Sequence, residues 1–310
     1  MKLIKELCEG DRYIIQALVG SVTQGTNKSG SLYLNVELRD SSGVLSSKKW
    51  EVEDEDKDIF VSGNVIETMV EVIKYNDSLQ GKILRANRLS SDEVDVTRFI
   101  KASPIDKDIL IERFNKLVDS IQDVDCKKIL DYFIKKFGDQ IYLSPAAVSV
   151  HHEFASGLLM HSVYLAEHVD YFSKVYNDIN RDLAVTGALI HDFGKMIELE
   201  GPAIYHYSTE GKLLGHISIM CGELRIAAKE LNITSEVPLL LEHIVLSHHG
   251  QHEFGSPVLP LTKEALLISM IDNLDSRMVL LEKAYEDVAP GEFTQKIFSL
   301  DNRMFYKAKK

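Results

Sequence analysis

The chain has 310 residues, of which 45% are hydrophobic and 26% are charged, and its formal net charge at pH 7 is -12. This composition is ordinary for a soluble globular protein, and the length is sufficient for two domains. The negative charge argues against a protein that binds nucleic acid mainly through bulk electrostatics, although local binding stays open.

Targeting and redox signals in the sequence are few. No apolar run approaches the roughly 18 residues that suggest a membrane-spanning helix. Glu6 precedes the first apolar region, so we expect no signal peptide. The three cysteines, Cys8, Cys126 and Cys221, are far apart and odd in number, which indicates reduced thiols. We therefore expect a cytoplasmic protein that does not bind a membrane.

Residues 1–95 carry an all-β pattern. In residues 32–39, the apolar residues Leu32, Leu34, Val36 and Leu38 alternate with polar ones, which predicts a half-buried strand. The acidic connection at residues 51–58 is expected to be a solvated loop. Five strands with an irregular connection after the third predict a small closed barrel. We expect these strands at residues 12–24, 32–39, 44–50, 65–74 and 80–88.

This strand pattern resembles an OB-fold, in which strands two and three usually form a platform for single-stranded nucleic acid. The resemblance implies nucleic-acid-binding roles for Tyr33, Arg39, Lys48 and Trp50, because an aromatic ring on this face can stack on any base. Two interpretations of the aromatic residues stay open. Trp50 either stacks on a base or closes the barrel, and Tyr33 is either part of the platform or an ordinary exposed strand residue.

Residues 96–150 predict a helical connector packed on the last domain. Asp106, after Ser103-Pro104, indicates a helix start. Apolar residues then recur at helical spacing in two stretches, and the second stretch ends at Gly138. The apolar faces of these two helices fit either a core or the interface of a homo-oligomer.

Residues 151–310 predict an all-α domain with five further helices. In the last helix, Met270 and Ile271 are expected to pack around Asp272. The helices are expected near residues 157–171, 182–192, 215–231, 236–247 and 262–284.

Histidine and aspartate residues recur along these helices at intervals of roughly 25 to 30 residues. Such an interval corresponds to one helix and one loop, so successive helices can present ligands to a common centre. Imidazole and carboxylate ligands without thiolate favour Mn, Fe, Co, Ni or Zn over Mg or Ca. The candidate metal ligands are His161, His191, Asp192, His216, His248, His249 and Asp272.

The order of these residues resembles the HD superfamily of metal-dependent phosphohydrolases across about residues 150–285. The resemblance implies two metal ions. The first is held by His161, His191, Asp192 and Asp272. Asp192 bridges to the second ion, which is held by His216 and His248, with His249 as a substitute or an additional ligand.

Two ions close together can clamp a phosphodiester and activate a water molecule for in-line attack on phosphorus. The candidate catalytic residues are Asp192, as the bridge, and Lys195, as a cation for the charge that develops at the oxygens. Lys195 fits equally a solvated lysine after a turn. Asp275 either orients a ligand or pairs with Arg277.

The domain order and the motifs Gly157-Leu158-Leu159-Met160-His161, His191-Asp192-Phe193-Gly194-Lys195 and His248-His249-Gly250 resemble the YhaM-type 3′-to-5′ exoribonucleases. The resemblance implies that the OB-like domain holds single-stranded RNA, and that the HD domain removes nucleotides from the 3′ end with Mn as the preferred ion.

Single-stranded DNA is a further candidate substrate. Two other functions stay open. One is a phosphodiesterase for a small nucleotide such as a cyclic dinucleotide, and the other is a non-catalytic nucleic-acid-binding regulator.

Overall fold

The computed structural model describes residues 2–27, 30–75, 78–90, 99, 104–145, 156–201, 205–286 and 288–309. The chain divides into two compact units, Met1–Ala102 with Glu200–His206 and Ser103–Leu199 with Tyr207–Lys310. Across these described ranges, no helix has both the length and the apolar character that crossing a bilayer requires.

A closed five-stranded barrel forms the first unit. Its strands are hydrogen-bonded in the order β1-β2-β3-β5-β4, β4 returns to pair with β1, and β3 runs parallel to β5. The expected OB-like barrel is therefore confirmed. The strands are β1 (Arg12–Thr26), β2 (Leu32–Asp40), β3 (Gly43–Trp50), β4 (Val65–Tyr75) and β5 (Ser78–Arg88).

Alternation in β2 supplies one side of the barrel core. Leu34, Val36 and Leu38 are buried, and they pack in a cluster with residues of every other strand. Trp50 is 36% exposed at the end of β3 and does not belong to that cluster. An exposed side chain outside this cluster argues against the interpretation in which Trp50 closes the barrel.

The acidic connection after β3 is not simply the solvated loop that we expected. It contains a one-turn helix, α1 (Asp56–Ile59). Asp56 is buried, because its carboxylate pairs with Lys49 at 3.2 Å and accepts a hydrogen bond from the backbone N–H of Glu53. The sequence of an acidic run does not show which of its carboxylates forms an ion pair. Here that residue is Asp56.

The second unit is helical. Its buried apolar side chains form one cluster that contains both connector helices, so their apolar faces belong to the core. The helices are α2 (Lys107–Asp119), α3 (Val124–Phe137), α4 (Gln140–Leu143), α5 (Gly157–Val175), α6 (Arg181–Ile190), α7 (Lys195–Glu198), α8 (Thr209–Glu230), α9 (Val237–Ser247) and α10 (Lys263–Glu286).

Capping residues set the ends of the connector helices. The Asp106 carboxylate accepts from the N–H of Asp108 at the start of α2, and that of Asp123 accepts from Asp125 and Cys126 at the start of α3. Gly138, with φ 51°, follows the last turn of α3. These ends agree with the sequence pattern.

The one-turn helices α4 and α7 were not expected, and three further helical details differ from the expectation. α8 begins at Thr209, six residues before Gly215, and Gly215 interrupts it with φ 72° and ψ 153°. His216 therefore starts the second, longer part of the helix. α6 is capped by Asn180. Met270 is 65% exposed, whereas Ile271 is buried, so only Ile271 belongs to the packing around Asp272.

Candidate metal centre

Five helices each bring one part of a histidine and aspartate cluster to a common centre. His161 lies in the first turns of α5, and His191-Asp192 follow the last residue of α6. His216 follows the break in α8, His248-His249 follow α9, and Asp272 lies in the middle of α10. The helix-by-helix spacing in the sequence therefore corresponds to one shared site.

The first half of the cluster is centred on His161. Its Nε2 atom lies 3.2 Å from Nε2 of His191, 3.2 Å from Oδ1 of Asp272 and 3.9 Å from Oδ2 of Asp192. All four residues are buried. His161, His191 and Asp192 each offer a ligand atom, and these atoms lie within 4.8 Å of one another.

The second half lies on the other oxygen of Asp192. Its Oδ1 atom is 3.4 Å from Nε2 of His216 and 3.6 Å from Nε2 of His248. His216, His248 and His249 form a second group whose ligand atoms lie within 4.8 Å of one another. Asp192 thus stands between the two groups, with one oxygen toward each.

The outer nitrogen of each imidazole has a hydrogen-bond acceptor. The Nδ1 atoms of His191, His248 and His249 lie 2.8, 2.7 and 2.7 Å from the carbonyl oxygens of Ala188, Val245 and Phe254. A carbonyl can only accept, so each Nδ1 carries the proton and each Nε2 presents a lone pair. At the two remaining rings, the acceptor beside Nδ1 is a carboxylate. Asp275 lies beside Nδ1 of His161, and Glu198 lies beside Nδ1 of His216.

Several inward atoms in the centre lack a hydrogen-bond partner. Among the described side chains, Oδ1 of Asp192, Nε2 of His216 and Nε2 of His248 are buried without one. Buried polar atoms are normally satisfied, and a cation would satisfy these three adjacent acceptors together. Nitrogen and carboxylate donors without sulfur suit a divalent transition metal, and the set fits such an ion.

Electrostatics keep the carboxylates charged. Burial alone would raise the pKa of Asp192, but Lys195 and His191 hold it well below its usual range. Burial likewise opposes the charge on Asp272, and His161 outweighs that and lowers the pKa of this carboxyl. Burial lowers the pKa of His161, whereas hydrogen bonds with Asp272 and Asp275 raise it to about 10. Without a metal ion, His161 therefore holds a proton between two carboxylates.

The pKa values of His248 and His249 favour neutral imidazoles. Burial lowers the pKa of His248, and burial with the neighbouring His248 lowers that of His249 to about 4. Neutral rings are the form that binds a metal ion.

Lys195 contacts the cluster directly. Its Nζ atom lies 2.6 Å from Oδ2 of Asp192, and only 12% of its side chain is exposed. Burial lowers the pKa of Lys195, but Asp192 more than compensates and raises it. The alternative of a solvated lysine is therefore excluded by its burial.

Glycine at position 194 is required by close packing. A Cβ atom at Gly194 would lie 2.1 Å from the carbonyl oxygen of His216. Any other residue would clash with the backbone of His216 and force one of the two segments to shift.

Sequence reasoning missed Glu198 and left the role of Asp275 open. Glu198 is a buried acid between Ile197 and Leu199, a context that could have marked it. Oδ2 of Asp275 lies 2.7 Å from Nδ1 of His161, so this acid orients the ring. Arg277 instead bonds to Asn273 and Asp301.

On the barrel, three of the four candidate nucleic-acid-binding residues form one cluster. The rings of Tyr33 and Trp50 lie opposite each other on β2 and β3 with centroids 4.8 Å apart. Nζ of Lys48 lies 5.1 Å from the Tyr33 centroid and 5.5 Å from that of Trp50. Tyr33 also covers Gly25 of β1, where a Cβ would lie 2.6 Å from its ring.

Arg39 lies apart from this cluster. It is six residues beyond Tyr33 on the same strand, which corresponds to about 20 Å. Its guanidinium pairs with Glu37, with Nη2 at 2.5 Å and Nε at 2.6 Å from Oε1. The structure therefore brings Tyr33, Lys48 and Trp50 together and leaves Arg39 next to an acid.

Comparison with known proteins agrees with this geometry. The chain matches the family model of the HD domain over residues 158–277. It is 39% identical over 300 residues to the 3′-5′ exoribonuclease YhaM of Geobacillus sp., a match that covers 96% of this chain and 92% of that protein.

The YhaM protein of Oceanobacillus iheyensis is 40% identical over 292 residues, which cover 94% of this chain and 92% of the relative. Among solved structures, the second OB-fold domain of replication protein A from Methanococcus maripaludis aligns with 29% of this chain and 95% of its own. Its sequence identity is 17% and the TM-score is 0.25.

Proposed function

Because the chain belongs to the YhaM family of 3′-5′ exoribonucleases, we propose that it shortens single-stranded RNA from the 3′ end at a centre of two divalent metal ions. The observation that carries the proposal is the set of inward imidazole and carboxylate atoms, three of which lack a hydrogen-bond partner among the described residues. An enzyme that hydrolyses phosphodiester bonds accounts for both the family and this donor set.

The two halves of the cluster suggest how the ions are shared. The first ion would be held by His161, His191, Asp192 and Asp272, and the second by Asp192, His216, His248 and His249. Asp192 would contribute to both sites, since each of its oxygens faces one group. Mn is the ion that we favour, and Fe, Co, Ni or Zn suit the same donors.

Side chains around the metal centre would orient the ligands and stabilise charge. When bound, the ions supply positive charge for the phosphate oxygens and activate water for attack on phosphorus. Asp275 and Glu198 hold the rings of His161 and His216 in the ligating tautomer. Lys195 is already charged beside Asp192 and lines the cavity, so its ammonium can face the developing negative charge.

The barrel would hold the single-stranded nucleic acid. The Tyr33–Trp50 pair with Lys48 offers aromatic faces and one cation, which suits bases of any identity and a phosphate backbone. Such stacking does not require a 2′-hydroxyl, so we include single-stranded DNA as a second substrate. Because its relatives are exoribonucleases, we place the enzyme in the cytoplasm. Arg39 has a smaller part in this proposal, since Glu37 already neutralises it.

The test is cleavage of a 5′-labelled single-stranded RNA with added Mn, beside an Asp192→Ala variant whose folding is checked by circular dichroism. A ladder that shortens from the 3′ end, and that is absent with Asp192→Ala, is the expected result. Consumption of a cyclic dinucleotide with intact RNA would instead establish the small-nucleotide phosphodiesterase. Turnover near the wild-type rate in a folded Asp192→Ala variant would exclude the two-metal scheme.

A further inference from the structure

A cavity of about 390 Å³ opens beside the candidate metal centre, and α10 forms one of its walls. The residues of α10 that line it are Asp272, Asn273, Ser276, Arg277 and Leu280. Their spacing places them along one side of the helix. Because each residue adds about 1.5 Å along the axis, Arg277 lies about 7.5 Å beyond the candidate ligand Asp272.

Arg277 lies nearer to the mouth of this cavity than the metal centre does. Its side chain is 34% exposed, whereas those of Lys195 and Asp272 are each 12% exposed. Lys195 and Arg277 are the lysine and arginine residues on the described lining. The deeper cation, Lys195, already contacts Asp192. The outer cation therefore faces a different part of any strand that enters.

The guanidinium of Arg277 is held in place but only partly engaged. Its Nε donates to Oδ1 of Asn273 at 2.8 Å, and its Nη1 lies 3.3 Å from Oδ2 of Asp301. Among the described residues, its Nη2 has no hydrogen-bond partner. Arg303 binds the same Asp301 oxygen at 2.9 Å, so Asp301 has a closer cation than Arg277.

We propose that Arg277 forms a second phosphate site, which binds the phosphate one nucleotide to the 5′ side of the scissile bond. The proposal rests on the proposed exonuclease function. In such an enzyme the terminal nucleotide occupies the buried end of the cavity, and the rest of the strand leaves through the mouth. A guanidinium with a free Nη2 can donate to a phosphate oxygen, and its orientation by Asn273 reduces the entropy lost on binding.

Two other roles for Arg277 give different results. If Arg277 only ties α10 to the segment that contains Asp301, its replacement will change stability but not the activity on any substrate. If it contacts the scissile phosphate, it will affect every substrate equally. A second phosphate site affects only substrates that contain a second phosphate.

The experiment compares Arg277→Gln with wild type on single-stranded RNA and on bis(p-nitrophenyl) phosphate, a diester with one phosphate. Arg303→Gln is the matched control, since Arg303 binds the same Asp301 but does not line the cavity. We expect Arg277→Gln to raise the KM for RNA about tenfold, the scale of one charge-assisted hydrogen bond. The ratio of the kcat/KM values for RNA and the diester should fall accordingly, and Arg277→Lys should restore part of it.

An equal loss on both substrates, or no loss on RNA, would overturn the second phosphate site and leave the exonuclease function intact. A wild-type enzyme that hydrolyses the diester but leaves RNA whole would overturn the proposed function, and this proposal with it.

Discussion

Glu198 accepts two hydrogen bonds from His216, one from the ring Nδ1 at 3.2 Å and one from the backbone N–H at 3.0 Å. Burial raises the pKa of Glu198, but His216 reverses this and lowers it, so the carboxylate stays charged. One acid therefore satisfies the start of a helical segment and sets the tautomer of a candidate ligand. This contact separates the two halves of the metal centre experimentally, because it involves only the second.

Replacing Glu198 with Gln should weaken the binding of the second metal ion and leave the binding of the first unchanged. Loss of a carboxylate behind a ligating histidine typically costs 10- to 100-fold in metal affinity, and we expect about tenfold. Titration of metal-free protein with Mn by calorimetry will resolve the two binding steps. Glu200→Gln is the control, because Glu200 is 60% exposed and pairs with the exposed His206. Equal weakening of both steps would contradict the assignment.

Replacing Lys195 with Gln should reduce turnover without loss of metal. Its ammonium neutralises Asp192 and faces the cavity, so we expect kcat to fall about 100-fold, as for loss of one preorganised charge-stabilising group. Metal content by mass spectrometry should equal that of wild type. The exposed Lys212, changed to Gln, serves as control. Loss of bound metal from Lys195→Gln would assign this residue to the integrity of the site instead.

Replacing Trp50 with Ala should weaken the binding of long single strands by about 1 to 3 kcal/mol, the value of one stacked base. Trp50 is 36% exposed and lies outside the barrel core. The melting temperature of the Trp50→Ala variant should therefore stay close to that of the wild type. Val44→Ala is the control on the same strand, with a side chain that is 55% exposed. Fluorescence anisotropy with labelled RNA measures the affinity. A lower melting temperature with unchanged affinity would show that Trp50 is structural.

Replacing Asp182 with Asn should destabilise the helical unit in a pH-dependent way. The Asp182 carboxylate accepts from the N–H groups of Gln122 and Asp123 and thereby joins the α2–α3 connection to α6. Burial opposes its charge, but these bonds and Arg181 lower its pKa. A depressed folded-state pKa contributes stability above the unfolded pKa of about 3.9, and this is lost as pH falls through the folded value.

We therefore expect the Asn variant to lose about 1 kcal/mol at pH 7 and to approach wild type below pH 4. Urea unfolding at several pH values provides the measurement. Asp131→Asn is the exposed control, since its carboxylate pairs with Lys127 on the surface of α3. A difference that stays constant from pH 7 to pH 3 would show that the ionised carboxylate is not responsible.

Much of this fold can be read from periodicity, because each pattern reflects a local geometric requirement. Leu34, Val36 and Leu38 alternate because one face of β2 meets the barrel core. Gly138 ends α3 because the chain turns through positive φ there. The candidate ligands could be chosen for a similar reason, since histidine and aspartate at one-helix intervals have few packing explanations.

Side-chain orientation and helix packing could not be predicted in this way. The pattern of β2 puts Glu37 and Arg39 on one face without showing that they pair, and the pattern of α10 does not show that Met270 is exposed.

The residue pattern is sufficient to predict the type of each domain, the five barrel strands and the longer helices in chain order, and a set of candidate ligands. Which atoms meet depends on the tertiary fold. It places Glu198 behind His216, Asp275 behind His161 and one oxygen of Asp192 toward each half of the centre. The physical reason is that periodicity depends on neighbours within a turn, whereas these contacts depend on how whole helices pack.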